Sequence, residues 1–432
     1  MRSSRALSLT ALSALAVAGL VAASALPASA AGDVSTGQWY LDAFHIRDVQ
    51  ADGLTGTGVT IAVIDSAINT SIPALASADI TVREPSYCLG DDGSFLPAVS
   101  TDLTGPNDAF HGTSIAALLV GSGAGSDGQQ GVQGIAPGAK LLYYAASTST
   151  GVGQAEVTCR TENGSAFGID ESVAAAMNEA MDAGADIISV SLLLNGNTEM
   201  IEAVARAHRE GVIILGGIPN EQVSQAGIWP GAANGAVAVQ AVDATGAPQS
   251  EDVAGTALPI EYPYTSVSGP GMGILAQGVE EGTWDEQQLV SGTSYATPAI
   301  AGFLALVKQQ FPSATGNQLL QTLIRNTGAT DHELVRDDAL GFGIASVTHM
   351  LQNDPAQYPD ENPLITPDGI PSPEEIAGTP SPTPTDDPGQ GGQAPAWILP
   401  VVIGVVGGLV LIAVIIVIVL VAVRRSRGGA LP

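Results

Sequence analysis

The segment Gly292-Thr293-Ser294-Tyr295-Ala296-Thr297-Pro298 opens an apolar stretch that runs to Phe311. A serine in the first turn of a buried helix is suited to nucleophilic chemistry. The free backbone N–H groups and the positive end of the helix dipole there can stabilise an oxyanion. The small neighbours Gly292 and Ala296 leave room for a substrate. Pro298 is expected within the first turn, where its missing N–H costs nothing. Ile300, Phe303, Leu304, Leu306 and Val307 cover nearly every side of the following helix, which predicts a place in the middle of the domain. A Ser or Thr before an apolar run is more often a plain N-cap, so this segment does not decide the chemistry alone.

Two further segments supply partners. Gly58 to Ala67 is a β-branched run ending in Asp65, read as a buried parallel strand; open α/β sheets carry functional residues at the C-terminal ends of such strands. Alone, Asp65 reads more readily as the cap of a following turn. His111-Gly112-Thr113-Ser114 leads into Ile115 to Val120, a histidine at a helix start. His45, His208, His332 and His349 read as structural, with His208 near a helix C-terminus that favours a partly cationic ring. The elements between repeat strand, helix, strand. A helix carries Val173, Met177 and Met181 on one face and ends at Gly184; strand 187–190, a helix from about Thr198 and strand 212–215 follow. That spacing predicts right-handed parallel crossovers and a doubly wound α/β sheet with helices on both faces.

The order Asp65, His111, Ser294 and its intervals resemble the subtilisin-like serine proteases over roughly residues 36 to 351. The resemblance implies Ser294 as nucleophile, His111 as general base and acid, and Asp65 as the group that orients and stabilises the imidazole. Gly211 to Asn220 resembles the strand and turn delivering the family's oxyanion asparagine. Asn220 and the Ser294 N–H therefore take that role. The strand ending in Ser191 and Leu192 resembles the edge on which substrate backbone pairs, and Ser191, Leu192, Leu193 and Gly217 are assigned to substrate binding. Four departures surround this set. Ala67 stands for a glycine after Asp65-Ser66, Phe110 for a small residue before His111, Leu193 and Leu194 for glycine in the groove, and Pro219 for the glycine before Asn220. They suggest a selective protease and leave a weak or inactive one open.

The ends of the chain suggest a location. Residues 1–30 carry Arg2 and Arg5, an apolar stretch and Ala28-Ser29-Ala30, the pattern of a signal peptide. Residues 397–423 contain the uncharged run Val401 to Val423, read as a transmembrane helix, and 424–432 hold Arg424, Arg425 and Arg427, which predict a cytoplasmic tail. Between them lie an N-terminal extension (31–57), the protease domain (58–352) and a Pro-rich acidic linker (353–396). That linker is expected to be a semi-rigid stalk too polar to fold, with a reach on the order of 100 Å. Net charge is −29 with 13% charged residues, which argues against nucleic acid or an anionic membrane surface as partner. Cys88 and Cys159 are expected to form one disulfide in an oxidising compartment, closing a loop of about 70 residues. No compact run of acidic ligands is visible, so no metal and no cofactor are expected.

Within the family the chain resembles the mycosins, membrane-anchored proteases associated with type VII secretion in actinobacteria. Gln38 to Leu41, the cysteine pair, the Pro-rich stretch and the terminal apolar run carry that likeness. It implies an exported protein or peptide as substrate, a secretion complex in the membrane as partner, and an N-terminal extension that wraps the domain. Two functions follow: a narrow serine endopeptidase outside the membrane, or a weakly active or inactive domain that caps a membrane complex. An α/β esterase is disfavoured because no Gly-x-Ser-x-Gly elbow surrounds Ser294.

Overall fold

The computed structural model describes residues 34–90, 92–148, 169–223 and 228–378. Its elements begin with two short helices, α1 (Tyr40–Ala43) and α2 (Ile46–Ala51), then β1 (Thr60–Asp65), β2 (Ile80–Val82) and α3 (Phe110–Val120). Next come β3 (Ser122–Ala124), β4 (Gln130–Gln133), β5 (Lys140–Ala145), α4 (Ile169–Asp182), β6 (Ile187–Val190), α5 (Thr198–Glu210) and β7 (Ile213–Gly217). The chain continues through β8 (Val237–Val242), β9 (Ser250–Val253), β10 (Thr256–Pro259), β11 (Val267–Pro270), β12 (Ile274–Gln277) and β13 (Gln287–Val290). It ends with α6 (Thr293–Gln310), α7 (Gly316–Arg325), α8 (Val347–Gln352) and α9 (Pro373–Ile376).

Seven strands form one sheet in the order β11-β8-β7-β6-β1-β5-β2, every pair parallel. Successive side chains of a strand face opposite sides, and here both sides are apolar. Ile61, Val63, Leu141 and Tyr143 pack with α3 and α6, whereas Ala62, Ile64, Leu142 and Tyr144 pack with α4 and α5. Helices on both faces of a parallel sheet make the doubly wound α/β fold expected from the strand and helix spacing. In α6 every residue from Tyr295 to Val307 is buried, so this helix does run through the middle of the domain. Asn197 caps α5 through Met200 N at 2.9 Å, and Gly211 closes it with φ +73°.

The extension before β1 is part of the core. Tyr40, Leu41 and Ile46 are fully buried, Trp39 Nε1 donates to Met272 O (3.0 Å), and the Tyr40 hydroxyl donates to Gln133 O (2.6 Å). His208 departs from the cationic reading. Burial pulls its imidazole below the usual value, only partly offset by its hydrogen bond to Asn234 O (2.8 Å), so a neutral ring is favoured.

The expected stalk starts too early. Residues 354–378 are folded against the domain. Asn234 Nδ2 donates to Thr366 O and Pro371 O (3.0 and 2.9 Å), Thr366 N donates to Asn234 Oδ1 (2.7 Å), and Arg209 donates to Glu375 O (2.8 Å). Composition predicted a free linker; the strap is anchored instead by hydrogen bonds between domain side chains and its backbone and between its own Asp360 and Asn362 side chains and the domain. The rest of the linker (379–396), the transmembrane reading (397–423), the basic tail and the signal peptide lie outside the described residues. Among the described residues no helix is long and apolar enough to cross a membrane. Cys88 is buried, and Cys159, its expected disulfide partner, lies outside the described residues.

Candidate active site

Asp65 is the last residue of β1, held between β5 and β6, and is fully buried. Its Oδ1 accepts from Ser66 N (2.7 Å) and lies 2.7 Å from His111 Nδ1, while Oδ2 is buried without a partner. The hydrogen bond to the carboxylate places the proton on Nδ1 and leaves Nε2 as the ring's basic atom. His111 enters from the first turn of α3, and the close approach of α3 to the end of β1 depends on Gly112. A Cβ there would overlap the Tyr143 hydroxyl and come within 2.6 Å of Ala67 O. The Tyr143 hydroxyl donates to Ser66 O (2.8 Å), and Asn69 N donates to Thr113 Oγ1 (2.8 Å), locking strand end to helix start. Burial alone lowers the His111 pKa, but the charge and hydrogen bond of Asp65, with Asp108 adding, outweigh it and the net shift is upward. Among the described residues only His45, Asp127, Ala254 and Glu281 are non-glycine residues with positive φ. The turn at Ala67 therefore accommodates its Cβ without that strain.

Ser294 is the second residue of α6, and its N–H belongs to the first turn, where no intrahelical acceptor is available. Pro298 lies beyond that turn, contrary to expectation. It removes the amide that would bond the carbonyl four residues back, that of Ser294. Ser191 Oγ fills the gap by donating to Ser294 O at 2.7 Å. Thus Ser191, assigned to substrate binding, also supports the helix that carries Ser294. No hydrogen bond joins Ser294 Oγ to His111 among the described residues. The ring of the next residue, Tyr295, lies 5.8 Å from the His111 ring, and such nucleophile contacts commonly tighten only with substrate bound.

Asn220 follows β7 through Ile218-Pro219. Its Oδ1 accepts from Thr293 N (2.9 Å) and Thr293 Oγ1 (3.2 Å), which leaves Nδ2 as the outward donor. Thr293 Oγ1 also donates to Ile218 O (2.6 Å), tying the loop to the start of α6. Gly292 has φ +150°, and a Cβ there would stand 3.2 Å from Asn220 Oδ1 and 3.3 Å from Nδ2. Gly217 is buried, with Thr293 Oγ1 only 2.8 Å from where its Cβ would be. It therefore makes room for the Thr293 clamp. The arrangement brings together an imidazole able to accept a proton, a serine, and two outward N–H donors.

In the expected groove, Leu192 is half-buried and Leu193 is 46% exposed, so Leu193 is available to a ligand. Leu194 is not, although it was expected to intrude. It is fully buried, and its N–H and carbonyl pair with Trp229 (3.0 and 2.9 Å). The roles of Thr293, Gln249 and Tyr262 were missed, because their hydrogen bonds span 29 to 75 residues of sequence and have no local signature.

The Subtilase family (Peptidase S8) matches residues 56–343, two thirds of the chain. The minor extracellular protease Epr of Bacillus subtilis is 28% identical over 311 residues, covering 71% of this chain and 40% of Epr. The thermostable alkaline protease of Halalkalibacterium halodurans is 29% identical over 287 residues, 66% of each chain. This chain thus spans less than two thirds of the length of either relative. The crystal structure of MycP1 from the ESX-1 type VII secretion system shares the fold, with a TM-score of 0.54 at 20% identity over 76% of this chain and 88% of MycP1. With the family match covering the strand, helix and turn segments that carry Asp65, His111, Asn220 and Ser294, the chain belongs to the subtilase family of serine peptidases.

Proposed function

We propose that this protein is a serine endopeptidase in which Ser294 attacks the scissile carbonyl. His111 Nε2 takes the serine proton and returns it to the leaving amine, and Asp65 holds the imidazole and stabilises its cation. The acyl-enzyme is then hydrolysed by water, with His111 again moving the proton. Asn220 Nδ2 and the Ser294 N–H receive the charge that develops on the carbonyl oxygen. The observation that carries the reading is the buried Asp65–His111 hydrogen bond of 2.7 Å beside a helix start that holds both Ser294 and the Asn220 clamp.

The finer reading places the domain outside the cell membrane, exported by residues 1–30 and anchored by 397–423, with residues 424–432 in the cytoplasm. The sequence patterns at both ends support it. Pairing of Cys88 with Cys159 belongs to the same reading, supported by an even pair of cysteines in a chain read as exported. The fold shared with MycP1 supports an association with a type VII secretion system, and the substituted groove, with Leu193 exposed in it, supports a narrow set of exported protein substrates.

The test is labelling of the full chain in detergent by a fluorophosphonate probe, comparing wild type with Ser294→Ala and His111→Ala. Labelling that needs both residues is the expected result. A folded wild-type protein that does not label would overturn the reading and leave the capping role.

A further inference from the structure

We propose that the arm Gln249–Tyr262 positions the oxyanion loop, and that Gln249 and Tyr262 are its positioning residues; this rests on the assignment of Asn220 as an oxyanion donor. Asn220, Glu221, Gln222 and Val223 are all exposed and belong to no helix or strand. Packing therefore does not set their conformation, and hydrogen bonds must. Thr293 fixes the Asn220 side chain from one end. The arm fixes the backbone from the other.

Gln249 Nε2 donates to Asn220 O (3.0 Å). The Tyr262 hydroxyl donates to Glu221 O (2.7 Å) and accepts from Val223 N (2.9 Å). Gln222 is bracketed as well: its N–H donates to Glu251 Oε2 (3.2 Å), and its side chain exchanges two bonds with the Glu261 backbone (3.1 and 3.2 Å). The arm is firm at its root and free at its tip. Gln249 N donates to Ala241 O in β8 (2.8 Å), Ile260 N donates to Gln249 O (3.0 Å), and Tyr262 N donates to Asp338 O (3.0 Å). Ile260 and Tyr262 are buried. Strands β9 and β10 pair only with each other and are largely exposed. The arm thus transmits the position of the main sheet to the backbone of residues 220–223, which the Thr293 clamp at the start of α6 holds only through the Asn220 side chain and Ile218 O.

An oxyanion donor acts only when held at the right distance from the developing charge, so loosening it lowers the chemical step and leaves ground-state binding unchanged. Gln249→Glu replaces the donor to Asn220 O by an acceptor of the same shape, and Tyr262→Phe removes a single oxygen. Reaction of the full chain with the fluorophosphonate probe, resolved into binding (KI) and phosphonylation (kinact), separates the two steps. Each variant should lower kinact by about tenfold, short of the ~10²–10³ loss for removing a donor, with KI unchanged. Wild-type kinact in both variants, or a change confined to KI, would overturn the proposal while labelling of wild type upholds the protease reading. If wild type itself fails to label, the protease reading falls and this inference falls with it. The two substitutions lie in different parts of the arm, so either alone decides the matter if the other does not fold.

Discussion

The Ser191 hydroxyl donates to the Ser294 carbonyl at 2.7 Å, in place of the backbone amide that Pro298 lacks. A proline in a helix interior ordinarily leaves the carbonyl four residues earlier without its donor. Here that carbonyl belongs to the proposed nucleophile, so the segment expected to bind substrate also sets the geometry of Ser294. Ser191→Ala should leave the carbonyl unsatisfied at a cost of about 1–3 kcal/mol. Thermal unfolding reads the stability loss, and fluorophosphonate labelling should slow in parallel. Unchanged stability and labelling would show that water replaces the hydroxyl without consequence.

The Asp65–His111 pair makes a pH prediction. Burial opposes a charged imidazole, but Asp65 and Asp108 outweigh it and raise the His111 pKa. The ring must be neutral to accept the serine proton, so the acid limb of kcat/KM should lie above the ordinary imidazole value of about 6.5. In stability the sign is the reverse: the pairing contributes fully below the unfolded-state pKa and is lost as pH rises through the higher folded value. Asp65→Asn should move the acid limb to lower pH, besides lowering the rate. A limb that stays in place in a pH–rate profile would separate Asp65 from the His111 titration.

Gly292 is required by conformation and by space together. Its φ of +150° is disfavoured for residues with a Cβ, and that atom would stand 3.2–3.3 Å from the Asn220 amide. Gly292→Ala should therefore displace Asn220 and lower kcat by up to ~10²–10³, the range for an oxyanion donor. Turnover of a fluorogenic peptide selected from a library would measure it, with Asn220→Ala as the reference for full loss. Equal activity of Gly292→Ala and wild type would remove Asn220 from the charge-bearing role.

Asp65, His111 and Ser294 were legible because their positions are set by local rules. Asp65 ends an apolar strand, and His111 and Ser294 begin apolar helices; the structure shows those elements at 60–65, 110–120 and 293–310. Alternation of buried side chains on both faces of β1 and β5 likewise made the sheet class readable. What escaped depends on pairing over distance. Leu194 is buried because Trp229, 35 positions later, pairs with it, and nothing near Leu194 announces that. Pro298 was placed in the first turn together with Ser294, but it comes four residues after Ser294; its true position is tolerable through Ser191, more than 100 residues earlier. The 354–378 strap read as a stalk because its anchors, backbone groups at 366–371 and the side chains of Asp360 and Asn362, find their partners far away in sequence and have no local signature.

That strap yields a prediction which separates it from a free linker. Asn234 is buried and bonds the strap through both ends of its amide: Nδ2 to Thr366 O and Pro371 O, and Oδ1 from Thr366 N. Its own N–H donates to Ile370 O (2.8 Å) and its Oδ1 also accepts from the Thr366 hydroxyl (3.3 Å), so one residue holds the strap at Thr366, Ile370 and Pro371. Asn234→Ala would keep the backbone bond and lose the four side-chain bonds, leaving Thr366 N, the Thr366 hydroxyl and two carbonyls to find water. A loss of roughly 2–3 kcal/mol in unfolding free energy is expected, since buried groups stripped of partners cost about 1–3 kcal/mol each and partial resolvation offsets part of it. Local opening should be larger than global destabilisation. Hydrogen exchange at 362–376 should therefore accelerate more than exchange in β1 or α6, and limited proteolysis should begin within the strap. Uniform acceleration across the whole domain would instead mean that the strap is an integral part of the core, with no independent opening.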